Sequence, residues 1–441
     1  MCEDSLTLTS SFLETERKEF SNNATARIIQ NAVTVTPVSK IALDREKVTS
    51  IDTSMSIKND YWPNCNQKQS GRCWIFAGLN SLKPEVYNAT GLKDFEFSQN
   101  YMHFYDKLEK ANYFLTSMIT LSDRSIDDRT VNFLLNDPIG DGGQWNMFVA
   151  LVEKYGVVPK YAMPETESSS NTREMNNTLK HILRKGARDI RKTSSPKDAA
   201  LVKNRIMHDV YTILSIHLGT PPTSFIWQWE DKDRNFHREG TMTPQEFAAL
   251  YVPDLSKYVC LVNDPRETSP MNHVFTVEFL GNIVGAPAVT YLNVPIETIR
   301  QATIDTLKDG KTVWMGCDTS KHVEKKAGIW DGKLYDYESV YGVSFDMTKA
   351  EELEYAQSQM THAMQFTGVD LVDGHPRRWR IENSWGTDLG DKGFFTMNDS
   401  WFDDHVFEVA VHKKYISPEL LKVLDSDPIV LPAWDPMGSL A

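Results

Sequence analysis

The spacing of apolar residues predicts a largely helical first half of the chain. An apolar run that starts at Cys73 predicts a buried helix to about Leu82, which Pro84 ends because proline is excluded from helix interiors. Ser98 is placed to cap the next helix. Residues 177–217 show the wider periodicity of long amphipathic helices. These patterns place the helical material before residue 270.

The last third of the chain has a different pattern. Short runs of β-branched and aromatic residues, separated by turn residues, predict strands at 274–277, 313–316, 366–372, 379–382, 394–396 and 407–411. We therefore expect a helical half and a strand-rich half, with a cleft between them. The predicted segments are an N-terminal arm at 1–60, a helix-rich half at 61–160, a helical insertion at 161–270, a β-rich half at 271–417 and a C-terminal arm at 418–441.

Cys73 is the candidate nucleophile because it lies at a glycine-marked turn that leads into the first apolar helix. An ordinary thiol has a pKa of roughly 8.5, and a helix N-terminus together with a nearby imidazolium lowers it. We therefore expect Cys73 to be a reactive thiolate at neutral pH. For a cysteine without such partners, packing as a small core residue would be the simpler interpretation.

Two residues of the β-rich half would complete the site. His362 begins one strand-like run and Asn383 ends another, so both can face the helix of Cys73. In this hypothesis His362 exchanges the proton with the thiol and the leaving amine, while the Asn383 amide orients the imidazole. The order Cys, His, Asn is typical of a papain-type thiol site.

Two further side chains have supporting roles in the hypothesis. Gln67 and the backbone N–H of Cys73 would donate to the developing oxyanion, a contact worth about 3 to 4 kcal/mol in the transition state. Gln69 is the alternative candidate for that role, and we prefer Gln67 because of its position relative to Cys73 in the sequence. Trp385 would cover the hydrogen bond between the histidine and the asparagine, although simple core packing also explains a tryptophan there.

The motifs together resemble one known family, the bleomycin hydrolase and aminopeptidase C family of papain-like cysteine proteases. The matching stretches are 66–67, 71–76, 141–145, 360–364 and 382–386. The resemblance implies an α+β fold: a papain-like core with large insertions, a helical half and a β-rich half. It also implies a homohexamer with active sites facing an internal cavity. Gly142 and Gly143 would line the substrate groove with exposed backbone, and a purely structural turn is compatible with that use.

The last eleven residues, 431–441, are similar to the tail of aminopeptidase C. The resemblance implies that this arm lies in the cleft and blocks its non-prime side. Two prolines stiffen the arm and Trp434 can anchor it. The carboxylate of Ala441 would then pair with the α-ammonium of the substrate and restrict cleavage to the first residue. A frayed, mobile terminus is the alternative.

Composition and charge limit the possible binding partners, location and cofactors of the protein. The chain has 441 residues, a 41% hydrophobic content and a net charge of −13, which disfavours a general nucleic-acid surface. No apolar run has the length of a membrane span. Five cysteines, an odd number, favour reduced thiols and a cytoplasmic location. No metal-binding spacing occurs, so we expect no cofactor and no metal.

These observations predict a cytosolic cysteine aminopeptidase that acts on peptides with a free N-terminus. Two alternatives stay open. An oligopeptide endopeptidase of the same family would result if the arm did not occupy the cleft. A catalytically dead binding or scaffold protein is the alternative from a different class, and the presence of Gln67, Cys73, His362 and Asn383 argues against it.

Overall fold

The computed structural model describes residues 7–61 and 63–439 of the chain. Its α-helices are α1 (Ser10–Asn22), α2 (Ala24–Val33), α3 (Val38–Ala42), α4 (Arg45–Ser50), α5 (Cys73–Ser81), α6 (Lys83–Thr90), α7 (Gln99–Thr120), α8 (Arg129–Asn136), α9 (Trp145–Tyr155), α10 (Glu167–Ser170), α11 (Arg173–Arg191), α12 (Pro196–Leu218), α13 (Pro244–Tyr251), α14 (Ile296–Lys308), α15 (Tyr337–Tyr341), α16 (Lys349–Glu354), α17 (Asp399–His405) and α18 (Pro418–Val423).

The strands are β1 (Ile57–Lys58), β2 (Phe225–Glu230), β3 (Phe236–Met242), β4 (Tyr258–Val262), β5 (His273–Val277), β6 (Thr290–Asn293), β7 (Val313–Cys317), β8 (Val323–Glu324), β9 (Ile329–Trp330), β10 (His362–Val372), β11 (His375–Glu382), β12 (Phe394–Asn398), β13 (Val406–His412) and β14 (Ile429–Leu431). Among the described residues, all except β2 and β3 join one mixed sheet in the order β14-β5-β6-β4-β13-β7-β10-β11-β12-β9-β8, with β1 beside β10.

This sheet separates two hydrophobic cores. Successive side chains of a strand point to opposite faces, and on β7 Trp314 belongs to one core while Met315 belongs to the other. Ala363 and Met364 divide in the same way on β10. The first core contains the helices of the first half, and the second lies under α14 and α17. The helical half therefore packs against one face of the sheet that the strand-rich last third forms.

Helix α5 lies inside the first core. Its residues from Cys73 to Asn80 are all buried, which explains why the run has no polar face. The helix ends at Ser81, close to the predicted end, and Pro84 occupies the first turn of α6, where a missing N–H costs nothing. Ser98 caps α7 by accepting the backbone N–H of Tyr101. The predicted helices of this half and the strands of the last third are confirmed.

The described part of the N-terminal arm is mainly helical, from α1 to α4. One other region differs from what the hydropathy pattern indicated. The segment at 161–270 contains α11 and α12 as predicted, but it also carries the β2–β3 hairpin and strand β4. Within the described residues no helix combines the length and the apolarity needed to cross a bilayer. The division into five segments stays a prediction.

The end of the chain returns to the sheet. Strand β14 pairs in parallel with β5, and the backbone N–H of Glu278 donates to the carbonyl of Leu431 at 2.9 Å. After Leu431 the chain leaves the sheet and makes one tight turn at Pro436–Gly438. We call residues 431–439 the terminal segment.

Candidate active site

The nucleophile turn, residues 67–73, precedes α5 and is fixed at both ends. At its start, the backbone N–H of Gln67 donates to the carbonyl of Ser384 at 2.8 Å, and Asn66 forms a β-bridge with Trp385. At its end, Cys73 is the first residue of α5 and is 2% exposed. The turn therefore joins the helix to the segment that follows β11, which carries Asn383.

Asp141 holds the middle of this turn. Its Oδ2 accepts the backbone N–H of Gly71 at 3.0 Å and the hydroxyl of Thr172 at 2.5 Å. Its Oδ1 lies 2.6 Å from Nζ of Lys107, whose side chain is fully buried. Burial alone would raise the pKa of Asp141, but Lys107 and the hydrogen bonds lower it well below its usual range. A charged carboxylate therefore fixes the loop that presents the thiol.

His362 and Asn383 are paired as predicted. Nε2 of His362 lies 2.9 Å from Oδ1 of Asn383, and the same oxygen accepts the backbone N–H of Ser384 at 2.7 Å. A carbonyl oxygen can only accept, so Nε2 carries the hydrogen and Nδ1 keeps its lone pair. The ring of Trp385 lies beside the imidazole, with the centroids 5.1 Å apart. Trp385 is half-buried, and Nζ of Lys325 lies 4.8 Å from its ring centroid.

The candidate base and the candidate nucleophile lie on adjoining elements. His362 begins β10, which packs against α5, and the backbone N–H of the next residue, Ala363, acts to lower the pKa of the Cys73 thiol. Burial raises the pKa of Cys73 to about 11, although that N–H and those of Trp74 and Cys73 itself oppose the change. Burial lowers the pKa of His362 to about 4, against the hydrogen bond to Asn383.

Burial therefore disfavours the charged form of each group taken separately. A proton moved from the thiol to the imidazole would create two charges that stabilise each other. The resting thiolate–imidazolium pair stays a prediction. The helix N-terminus provides backbone N–H groups as expected, but their effect is smaller than the desolvation.

Both ends of the Gln67 side chain are engaged. Its Nε2 donates to the carbonyl of Ser70 at 2.5 Å, and its Oε1 accepts the hydroxyl of Ser384 at 2.5 Å. An amide nitrogen carries two hydrogens, so one of them stays available for another acceptor. Gln69 is exposed, and its backbone N–H bonds to the carbonyl of Ser170, on the side of α10. These positions keep Gln67 as the candidate oxyanion donor.

The glycine pair lies directly beside α5. Gly143 is buried, and a Cβ there would lie 2.5 Å from the ring of Trp74, which explains the requirement for glycine. The indole N–H of Trp74 donates to the carbonyl of Asp141 at 2.7 Å. The carbonyl of Gly142, a half-buried residue, accepts Nζ of Lys110 at 2.5 Å. The pair is therefore positioned by its packing, and its contact with substrate stays a prediction.

Glu382 is a buried residue of the site that the sequence did not reveal. One carboxylate oxygen accepts the side chain of Asn80 on α5 at 3.0 Å, and the other accepts the side chain of Gln365 on β10. Nζ of the buried Lys83 lies 3.9 Å away. Burial raises the pKa of Glu382, although Lys83 opposes this. One carboxylate next to Asn383 thus joins the helix of Cys73 to the strand of His362.

The terminal segment reaches the edge of this site. Nε2 of Gln144 donates to the carbonyl of Ser439 at 2.6 Å, and the hydroxyl of Ser439 donates to the carbonyl of Met360 at 3.0 Å. Gln144 follows the glycine pair, and Met360 precedes His362 by two positions. Ala441, the predicted partner of the substrate ammonium, lies outside the described residues. Among the residues that are described, no group of three or more histidine, cysteine, aspartate or glutamate side chains is arranged to hold a metal ion.

A buried cysteine at a helix start, with a histidine–asparagine pair at the ends of two neighbouring strands, is typical of the class of papain-like cysteine peptidases. The sequence profile of the Peptidase C1-like family matches residues 7–438, so the chain belongs to that family. It is similar to aminopeptidase C of Listeria monocytogenes, with 46% identity over 378 residues that cover 85% of this chain and 86% of the relative.

Two other relatives match over nearly the whole chain. Bleomycin hydrolase of Gallus gallus is 42% identical over 431 residues, which cover 94% of each protein. The crystal structure of pepw from Lactobacillus rhamnosis is 42% identical, with a TM-score of 0.97, and the match covers 99% of this chain and all of that one. The predicted family, the papain-like α+β fold and the class of cysteine-type aminopeptidase are confirmed at this level.

Proposed function

We propose that this chain removes N-terminal residues from peptides by a Cys-His-Asn mechanism. The observation that supports this most directly is the 2.9 Å contact between Nε2 of His362 and Oδ1 of Asn383. It leaves Nδ1 as the free base of a ring at the start of β10, the strand that packs against the helix of Cys73. A base with a fixed tautomer facing a thiol at a helix start is the arrangement that nucleophilic catalysis requires.

In the proposed reaction, Nδ1 of His362 accepts the proton of Cys73 as Sγ attacks the scissile carbonyl. The resulting oxyanion accepts hydrogen bonds from the backbone N–H of Cys73 and from the free hydrogen of the Gln67 amide. The imidazolium then gives its proton to the leaving amine, and the C–N bond breaks to leave a thioester. Water, deprotonated by His362, attacks the thioester and releases the N-terminal residue while Cys73 regains its proton.

The restriction to N-terminal residues is proposed from the terminal segment. Ser439 is bonded to Gln144 and Met360 at the edge of the site, which supports a terminal segment that fills the groove where further N-terminal residues of a substrate would lie. In this proposal the chain end, Ala441, supplies a carboxylate to the substrate's α-ammonium, and Gly142, Gly143 and Trp385 border the bound peptide. An endopeptidase would need this groove to be open.

Two substitutions and one truncation test the proposal. Cys73→Ala should reduce peptidase activity to background with the fold retained, and Cys73→Ser should behave similarly because a hydroxyl is a poorer nucleophile here. Rates are compared on an aminoacyl-amide and on its N-acetylated form. Removal of residues 435–441 should admit the acetylated substrate. Activity of Cys73→Ala near that of the unmodified protein would exclude the mechanism, and a scaffold protein would show no activity to lose.

We also propose that the protein is a cytoplasmic homo-oligomer, with a hexamer as the state implied by the family resemblance. Helix α1 has no buried residue in the single chain, and Phe12, Leu13 and Phe20 on it are exposed, so contact with another copy would cover them. The cysteines at 65, 73, 260 and 317 are free thiols, which suits a reducing compartment. Sedimentation velocity measures the assembly, and a monomer at micromolar concentration would contradict it.

A further inference from the structure

The terminal segment has one buried ionic contact with the rest of the chain. Nη2 of Arg266 lies 2.8 Å from Oδ1 of Asp435, and Nη1 lies 3.2 Å from Oδ2. The two side chains are 8% and 9% exposed. We call this contact the terminal ion pair. A bidentate, water-excluded contact between a guanidinium and a carboxylate is stronger and more directional than a surface salt bridge.

Arg266 is held in place independently of the terminal segment. Its Nε and Nη2 also donate to Asp264, at 2.9 Å and 2.7 Å. The backbone N–H of Asp264 is in turn bonded to Oδ1 of Asn293 on β6 at 2.9 Å. Asp264 therefore neutralises Arg266 even when Asp435 is absent. Departure of Asp435 would not leave an unpaired buried cation, so the terminal ion pair can open at a lower cost than an isolated buried pair.

Asp435 also determines the path of the residues that follow it. Its Oδ1 accepts the backbone N–H of Met437 at 2.9 Å and so caps the tight turn at 436–438. Gly438 passes Val277 so closely that a Cβ would lie 2.9 Å from Cγ1 of that valine. The next residue is Ser439, which bonds to Gln144 and Met360 at the site. The oxygen that binds Arg266 thus starts the turn that leads the chain to Ser439 and its two contacts.

We propose that the terminal ion pair sets the choice between removal of N-terminal residues and internal cleavage. When it is closed, the terminal segment occupies the groove beyond the first substrate residue. When it is open, the groove accepts peptides that extend beyond that residue or carry a blocked amine. This inference rests on the proposed peptidase function and deepens it, because it assigns the specificity to Arg266 and Asp435, which have no part in the proposed Cys-His-Asn mechanism.

The test uses the full chain with Asp435→Asn and Arg266→Met. In Asp435→Asn, the asparagine keeps the size of the side chain and an oxygen that can accept the N–H of Met437, but it loses the charge. In Arg266→Met, the methionine keeps an apolar stem without the guanidinium. Each should raise kcat/KM for an N-acetylated peptide at least tenfold and raise KM for the free-amine peptide, as the free α-ammonium loses its fixed partner. Arg300→Met is the matched control, because Arg300 pairs with Asp399 on α17, away from the terminal segment. It should leave both rates unchanged.

Removal of residues 435–441 separates this inference from the function itself. If the truncated chain cleaves the acetylated peptide and neither substitution does, the terminal ion pair does not control specificity. If the truncated chain cleaves only free-amine peptides, the groove is closed by something other than the terminal segment, and the inference is wrong while the Cys73 mechanism stands. Thermal unfolding shows whether Arg266→Met keeps its fold. If Arg266→Met is unstable, Asp435→Asn alone tests whether the terminal ion pair controls specificity, because this substitution alters only the terminal segment.

Discussion

The nucleophile turn and the terminal segment both contact residues 141–144 but are held in different ways. The turn is bonded to several distant elements by buried groups: Ser384 binds Gln67, and Asp141 binds Gly71 while Lys107 neutralises it. The terminal segment, once it has left β5, is held by contacts spaced along its length. These are the terminal ion pair, the packing of Leu431 and Met437 in the first core, the contact of Arg129 with the Trp434 ring and the two hydrogen bonds of Ser439.

This difference matches what each region would have to do in catalysis. A thiol and its oxyanion donors must stay within a fraction of an ångström of the reactive geometry, so a turn fixed by many partners is favoured. A segment that borders the substrate must allow entry and exit, and regions with few buried contacts open at the lowest cost. We therefore expect substitutions in the turn to reduce stability and all activity, and substitutions in the terminal segment to change which peptides are cleaved.

Asp141→Ala should have the largest effect. It leaves the buried ammonium of Lys107 without its carboxylate and the N–H of Gly71 without its acceptor. Loss of one partner of a buried pair costs about 3 to 5 kcal/mol in the free energy of unfolding. A displaced turn should also lower kcat by about a hundredfold or more. Chemical denaturation and steady-state kinetics measure the two effects.

Asp137→Ala is the matched control for that substitution. Asp137 also pairs with a lysine, Lys180, but its side chain is 59% exposed. A surface pair contributes about 0 to 1 kcal/mol, so this variant should be nearly as stable as the unmodified protein. Equal losses in the two variants would contradict the role given to Asp141.

The core of the site could be predicted from sequence because its signals are local. Cys73 stands before an apolar helix, and His362 and Asn383 stand at the ends of strand-like runs. The supporting residues could not be predicted in the same way. Glu382 is one of many acidic residues, and its role depends on Asn80 and Gln365, which only the folded chain brings to it.

Parts of the fold were missed for a related reason. The β2–β3 hairpin alternates buried and exposed residues, with Phe225 and Trp227 inside, yet it directly follows two long helices whose periodicity dominates that segment. Local propensity is a weak guide where packing against other segments decides the structure.

A pH titration tests the burial of the base. The pKa of His362 is about 4 in the folded protein, below its ordinary value of 6.5, chiefly because of burial. Between these values the unfolded chain binds more protons than the folded one, so the free energy of unfolding should rise as the pH increases from 4 to 6.5. The contribution of this one group is about 3 kcal/mol over that window.

The measurement compares the unmodified protein with His362→Gln, using denaturant unfolding at several pH values. Other buried histidines, such as His405, contribute the same slope to both proteins, so the difference between the two curves reports His362. The difference should widen from pH 4 to 6.5 and then become constant. Parallel curves would contradict the lowered pKa of His362.

Gly143→Ala should have a smaller effect that is confined to packing. The added Cβ would lie 2.5 Å from the Trp74 ring, so the ring or the glycine loop must move. Overpacking of this kind costs about 1 to 3 kcal/mol in the free energy of unfolding. The double variant with Trp74→Leu should be more stable than the sum of the two single effects predicts, because the smaller side chain makes room. Simple additivity would exclude a steric cause.

Trp434→Ala should have the smallest effect on stability, and it tests how firmly the terminal segment is held. The guanidinium carbon of Arg129, an exposed residue, lies 4.0 Å from the Trp434 ring centroid. An exposed contact of this type is worth about 0.5 to 1 kcal/mol, so the free energy of unfolding should fall by no more than that. Cleavage of an N-acetylated peptide should nevertheless increase, because the terminal segment loses one of its few attachments. Arg129→Met should give the same increase, and the double variant should add nothing. If Trp434→Ala destabilised the protein as much as Asp141→Ala does, the terminal segment would be as firmly built into the fold as the nucleophile turn, and it could not leave the groove to admit longer peptides.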